Sequence, residues 1–178
     1  MTTQLTNRPP STGTALRRAA ITLPLFRHAI WLMPAAFALH ITEEYIGNFP
    51  AWVTEDVHGS FDYLAFDLNN LMFMAILVTL VFLNSRKTGP VRTFALVAFA
   101  SGNLFWDGLF HLFMTPVLHQ YSPGLVTAML LYYPICILIG IIIVKQGIMT
   151  GRRFALALVA GLALFAFVVW YGLFHFAI

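Results

Sequence analysis

Five apolar stretches, at roughly 25–46, 63–84, 93–115, 124–144 and 154–176, are each long enough to cross a hydrocarbon layer, which takes about 20 helical residues. Such runs leave few folds open. Inside lipid every backbone N–H and C=O must be paired, and a helix does this within a single span. The sequence therefore predicts an all-α, polytopic membrane helical bundle of about five transmembrane helices. Composition agrees, because 60% of the 178 residues are hydrophobic and only 10% are charged, too few to cover a soluble surface. The connections near 47–62, 85–92, 116–123 and 145–153 leave no room for a soluble domain. Residues 1–20, polar at their start with Pro9-Pro10 and Gly13, read as a disordered cytoplasmic tail, and 21–178 as a single membrane domain.

The net charge of +3 is spread in short clusters beside the apolar runs, a pattern that signals topology and gives no sign of nucleic-acid binding. With the N-terminus in the cytoplasm, Arg8, Arg17, Arg18, Arg27, Arg86, Lys87, Arg92, Lys145, Arg152 and Arg153 all fall inside. Glu55, Asp56, the uncharged connection near 116–123 and the C-terminus then fall outside, in accord with the positive-inside rule. A rival reading takes Arg17-Arg18 and the run ending at Ala36-Phe37-Ala38 as a cleaved secretory signal. Against it, the apolar pattern continues to Ile46, and Arg27 and Pro34 interrupt what should be an unbroken run. The single cysteine, Cys136, excludes an intrachain disulfide and a cysteine-based metal cluster.

Within these spans the polar residues fall into stripes. His40, Glu43 and Glu44, at offsets 0, 3 and 4, share one face of the first helix, and Asn103, Asp107 and His111, at offsets 0, 4 and 8, share one face of the third. Measured from the basic end of each helix at about 1.5 Å per residue, both stripes and Asn69-Asn70 of the second helix lie roughly 17–29 Å up, in the outer half of the bilayer. Each carboxylate at bilayer depth is disfavoured by about 2.5–3.5 kcal/mol, so the stripes must face one another, a metal ion or water.

Imidazole with carboxylate is a usual ligand set for zinc, iron or manganese. His40, Glu43, Glu44 and His111 are the candidate ligands of a divalent metal ion, and Glu43, Glu44 and Asp107 the candidate acid/base groups. Asn70 and Asn103 are candidate cofactor-binding groups, as weak ligands or as supports for a ligand. The pattern is not the His-Glu-x-x-His of zincins, and it only partly matches the Glu-x-x-His pairs of di-iron bundles. Together these features favour a metal-dependent enzyme acting on a lipid or another hydrophobic small molecule. Three alternatives use the same residues: metal-free acid/base chemistry by paired carboxylates, a transporter or proton relay, and a structural or assembly subunit whose polar groups only bond helix to helix. The inner half of every span is almost purely apolar, which gives a relay no continuation. His28, His58, His119 and His175 read as interfacial or solvated, and Pro34 and Pro134 as helix kinks.

The chain resembles the HXXEE family of small bacterial membrane proteins, whose motif is His40-Ile-Thr-Glu43-Glu44. Further family-like features are Asn69 or Asn70 in the second helix, the Asn103 to His111 stretch, and the Tyr121-Ser122-Pro123-Gly124 opening of the fourth helix. The resemblance covers His40 to about Pro134. It implies a shared site in a bacterial inner-membrane protein and implies no particular reaction, since none is established for the family.

Overall fold

In the computed structural model the described residues are 24–175, and every regular element among them is helical. The predicted tail at 1–20 lies outside them. Four helices are long and apolar enough to cross a membrane: α3 (Tyr63–Arg86), α4 (Pro90–Leu118), α5 (Leu125–Lys145) and α6 (Gly151–Leu173). They correspond to the last four of the five predicted spans.

The first predicted span, 25–46, is not one helix. Residues 24–29 are helical, a turn occupies 30–31, and α1 (Leu32–Ile46) follows with 15 residues. Pro34 explains the break. It has no N–H to give the Ile30 carbonyl, and its ring would press on that carbonyl in a straight helix. The Ile30 carbonyl instead accepts from Met33 N at 3.2 Å, and Trp31 N reaches His28 O at 3.1 Å, so the chain tightens for one turn. The count of long spans is therefore four among the described residues, with a kinked segment at 24–46 beside them.

A second departure lies in the connection near 47–62, where nothing in the residue pattern predicts a helix. Asn48 takes a left-handed conformation (φ 57°), Pro50 sits in the first helical turn, and a short helix α2 (Phe49–Glu55) forms. Its Phe49, Trp52 and Val53 are buried with Phe61, Ala65, Phe66 and Leu173 in a core of their own. Ser60 N donates to Leu173 O at 2.6 Å, which ties this segment to the end of α6. The larger core joins 26–37 to α3, α4, α5 and α6 through residues such as Phe37, Leu77, Leu104, Tyr132 and Ile139.

Helix α4 is the central one. Half of its most apolar window is buried inside the protein, against 11% for α6 and 17% for α3, whose remaining surface is left for lipid. Helices α4 and α6 approach closely at Gly102 and Gly161. A Cβ added at Gly161 would run into Ser101 Oγ and the Ala98 carbonyl, so only glycine fits this crossing. Near one end of the bundle, α4, α5 and α6 each contain a π turn, at Ser101–Trp106, Ala128–Tyr132 and Val169–Leu173. The up-and-down connectivity sets Arg86, Lys87, Arg92, Lys145, Arg152 and Arg153 at the opposite end, where Arg27 Nε donates to Thr88 Oγ1 at 3.2 Å.

Candidate functional site

At the end remote from the basic loops, α1 and α4 bring four ionisable side chains together. His40 and Glu44 are one helical turn apart on α1, and Asp107 and His111 one turn apart on α4, so each helix offers one imidazole and one carboxylate. His40 Nε2 lies 3.2 Å from Asp107 Oδ2 and 3.6 Å from Glu44 Oε1. His111 Nε2 lies 3.5 Å from Glu44 Oε1 and 3.7 Å from Asp107 Oδ2. Both imidazoles are buried, Glu44 nearly so, and the Asp107 side chain is 26% exposed, which leaves it as the cluster's opening to a neighbouring cavity. The two rings meet edge to face with centroids 5.0 Å apart. His40, Asp107 and His111 form a group that could hold a metal ion.

The outer ring nitrogens are held by hydroxyls. His40 Nδ1 is 2.9 Å from Thr127 Oγ1, and His111 Nδ1 is 2.9 Å from Ser122 Oγ. Neither Nε2 has a hydrogen-bond partner among the described residues. The same is true of two nearby buried groups, the Asn103 amide nitrogen and the Tyr132 hydroxyl. Tyr132 lies against His40 with ring centroids 4.5 Å apart.

Next to the cluster is a cavity of about 80 Å³. Its polar lining comes from His40, Glu44, Asn69, Asn70, Asn103 and Asp107. Most of the rest is phenylalanine: Phe37, Phe49, Phe61, Phe66, Phe73, Phe110 and Phe165. The short helix α2 contributes Phe49, and two of the π turns contribute wall, through Gly102 and Asn103 and through Val169 and Gly172, while Tyr132 of the third lies against His40. Both second-helix asparagines reach this space, so the choice between Asn69 and Asn70 does not arise.

A family model, described as a protein of unknown function with HXXEE motif, matches residues 31–139, more than half of the chain. The chain belongs to the HXXEE family. No curated protein and no solved structure matches it significantly. The structure divides the HXXEE motif into two parts. His40 and Glu44 enter the cluster, whereas Glu43 turns to the first turn of α5. There its carboxylate accepts from Gly124 N (3.2 Å), Val126 N (3.1 Å) and Thr127 N (2.7 Å), and from the Tyr121 hydroxyl. These amides have no partner within their own helix, and the positive end of the helix dipole favours a carboxylate. Glu43 thus stands apart from the ligand group in which its spacing had placed it. Asp107, named only as acid/base, is drawn into that group. Sequence reasoning missed Thr127, Ser122 and Tyr132 as neighbours of the histidines. The available signal was the Tyr-x-Pro-Gly opening of α5, which brings all three within reach.

Proposed function

We propose that this HXXEE protein is a membrane-embedded metalloprotein, and that its metal serves an enzyme acting on a lipid or another hydrophobic small molecule. One observation carries the reading. Two imidazole Nε2 atoms and two carboxylate oxygens converge at 3.2–3.7 Å, with neither nitrogen hydrogen-bonded. Three of the four separations exceed the usual hydrogen-bond range, so protons alone hold such a group poorly. A tetrahedral zinc at about 2.0–2.2 Å from its ligands would set them about 3.3–3.6 Å apart. His40, His111 and Asp107 are the ligands in this reading. Glu44 is the fourth ligand or the acid/base group, and zinc, iron and manganese all suit the donor set.

The walls support the substrate class. A small cavity of phenyl rings with a few convergent amides accepts an apolar body and orients one polar group. A metal there would polarise a substrate oxygen or lower the pKa of a water. The exclusively basic character of the other end supports an inner-membrane orientation with the site toward the outer half.

Elemental analysis of detergent-purified protein tests the claim, with wild type beside His40→Ala and Asp107→Asn checked for intact folding. Stoichiometric zinc, iron or manganese in wild type, lost in the folded variants, is the expected result. Metal-free wild type, after chelator-free purification and attempted reloading, would remove the metal and return weight to acid/base or relay chemistry.

A further inference from the structure

The segment Tyr121–Thr127 and Glu43 form a device that lies outside the ligand set. Thr127 Oγ1 donates to the Gly124 carbonyl at 3.2 Å, which leaves its oxygen to accept from His40 Nδ1. A neutral His40 then carries its proton on Nδ1 and presents the Nε2 lone pair to the cluster. Ser122 Oγ, from the same segment, meets the second imidazole at Nδ1. Gly124 allows this approach. Its φ is +106°, and a Cβ there would lie 2.6 Å from His40 Cε1 and 2.8 Å from His111 Cε1. The backbone therefore rests directly on both rings.

What holds the backbone there is Glu43. It takes the N–H groups of Gly124, Val126 and Thr127, and Thr127 is the residue that meets His40. We propose that Glu43 is a positioning residue which, by clamping the first turn of α5 through Thr127, sets the His40 tautomer so that Nε2 is free to bind a cation. The inference rests on the metal reading for its use and on the hydrogen bonds alone for its geometry. It also explains why adjacent glutamates occur in one motif: Glu44 faces the cluster, and Glu43, about 100° round the helix, fastens the part that orients it.

The two layers can be tested separately on the full chain in lipid nanodiscs with ¹⁵N-labelled histidine, free of metal and then with zinc alone. Long-range ¹H–¹⁵N spectra of the metal-free protein report which ring nitrogen carries the proton. The expected wild-type result is His40 protonated at Nδ1. Thr127→Val is expected to shift His40 toward mixed tautomers with His111 unchanged, and to weaken zinc by about 10–100-fold, the usual effect of losing such a support. Thr127→Ser restores both readouts, and Glu43→Ala reproduces the His40 change without touching its ring. Should Glu43→Ala fail to fold, Glu43→Gln replaces it, its amide leaving part of the α5 N–H groups unpaired, and His40 unmoved in the folded Glu43 variant would overturn the clamp. His40 unprotonated at Nδ1 in wild type, or unmoved in Thr127→Val, would overturn the proposal even if zinc binds. Tautomer shifts as expected in a protein that binds no zinc would uphold the clamp and remove the metal reading.

Discussion

Two polar clusters among the described residues are buried in this bundle, and they differ in how completely they are bonded. At the basic end, Asn84 is fully buried where α3 turns into α4. Its amide nitrogen donates to Leu80 O and Arg92 O, its amide oxygen accepts from Thr93 Oγ1, and its own carbonyl accepts from Thr88 Oγ1. At the other end, His40 Nε2, His111 Nε2, Asn103 Nδ2 and the Tyr132 hydroxyl are buried without hydrogen-bond partners among the described residues, the two imidazole nitrogens having only carboxylate oxygens at 3.2–3.7 Å. A buried polar group left unbonded is costly, and proteins retain few of them. The closed cluster needs nothing further and builds a corner. The open groups gather about the histidine–carboxylate cluster, with His40 and Asn103 lining its cavity, where the proposed metal and substrate would be taken up.

Substitutions can break or sharpen this contrast. The largest effect is expected at Gly124. An alanine there is strained by its backbone angle and pressed against both imidazoles, so Gly124→Ala should lower stability by about 1–3 kcal/mol and weaken zinc in a binding titration. Asn84→Leu removes three hydrogen bonds at the closed corner. At the average of about 0.6 kcal/mol measured for such bonds in membranes, it should lose about 1–2 kcal/mol in a denaturation series while zinc binding stays as in wild type.

A subtler effect belongs to Tyr121, in the connection before α5. Its partial burial and the Glu43 carboxylate push its phenol up to about 12. A raised folded pKa stabilises below the ordinary value of about 10, and that contribution is lost as pH rises through about 12. Wild type should therefore lose thermal stability across this window, and Tyr121→Phe should show less of the slope. The smallest stability effect is expected at the open cluster itself. Asn103→Leu removes an unpartnered group and should change stability by less than about 0.5 kcal/mol, while turnover of a substrate, once one is found, should fall sharply. A large destabilisation by Asn103→Leu would show that Asn103 belongs with Asn84 as a structural group.

Much of this contrast is legible in the sequence. Offsets of four bring His40 to Glu44 and Asp107 to His111, and counting up each helix puts both pairs in one slab. The identity of neighbours across helices is less accessible. Glu43 and Glu44 are equivalent by composition and depth, and only the entry of α5 decides that one caps a helix while the other meets the histidines. Pro34 reads as a kink, but the break it makes at 30–31 removes a long span from the count. Helix α2 is hidden because its sequence, Phe-Pro-Ala-Trp-Val-Thr-Glu, is too short for periodicity to show and is set by Asn48 and by packing on Leu173. The aromatic cavity wall comes from several helices and the 47–62 connection, and a phenylalanine in an apolar run gives no sign of which way it faces.

The π turn at Ser101–Trp106 has a consequence for how such a site is inherited. It fits one more residue into a turn than an ordinary helix holds. Deleting a single residue there would turn the bond from Asp107 N to the Gly102 carbonyl into an ordinary helical one, leaving a regular, equally apolar span with Asp107 and His111 still facing the same way. A relative one residue shorter in this turn would keep its motif, its hydropathy and both halves of the site, so the π turn is a place where chain length can change without the site being lost.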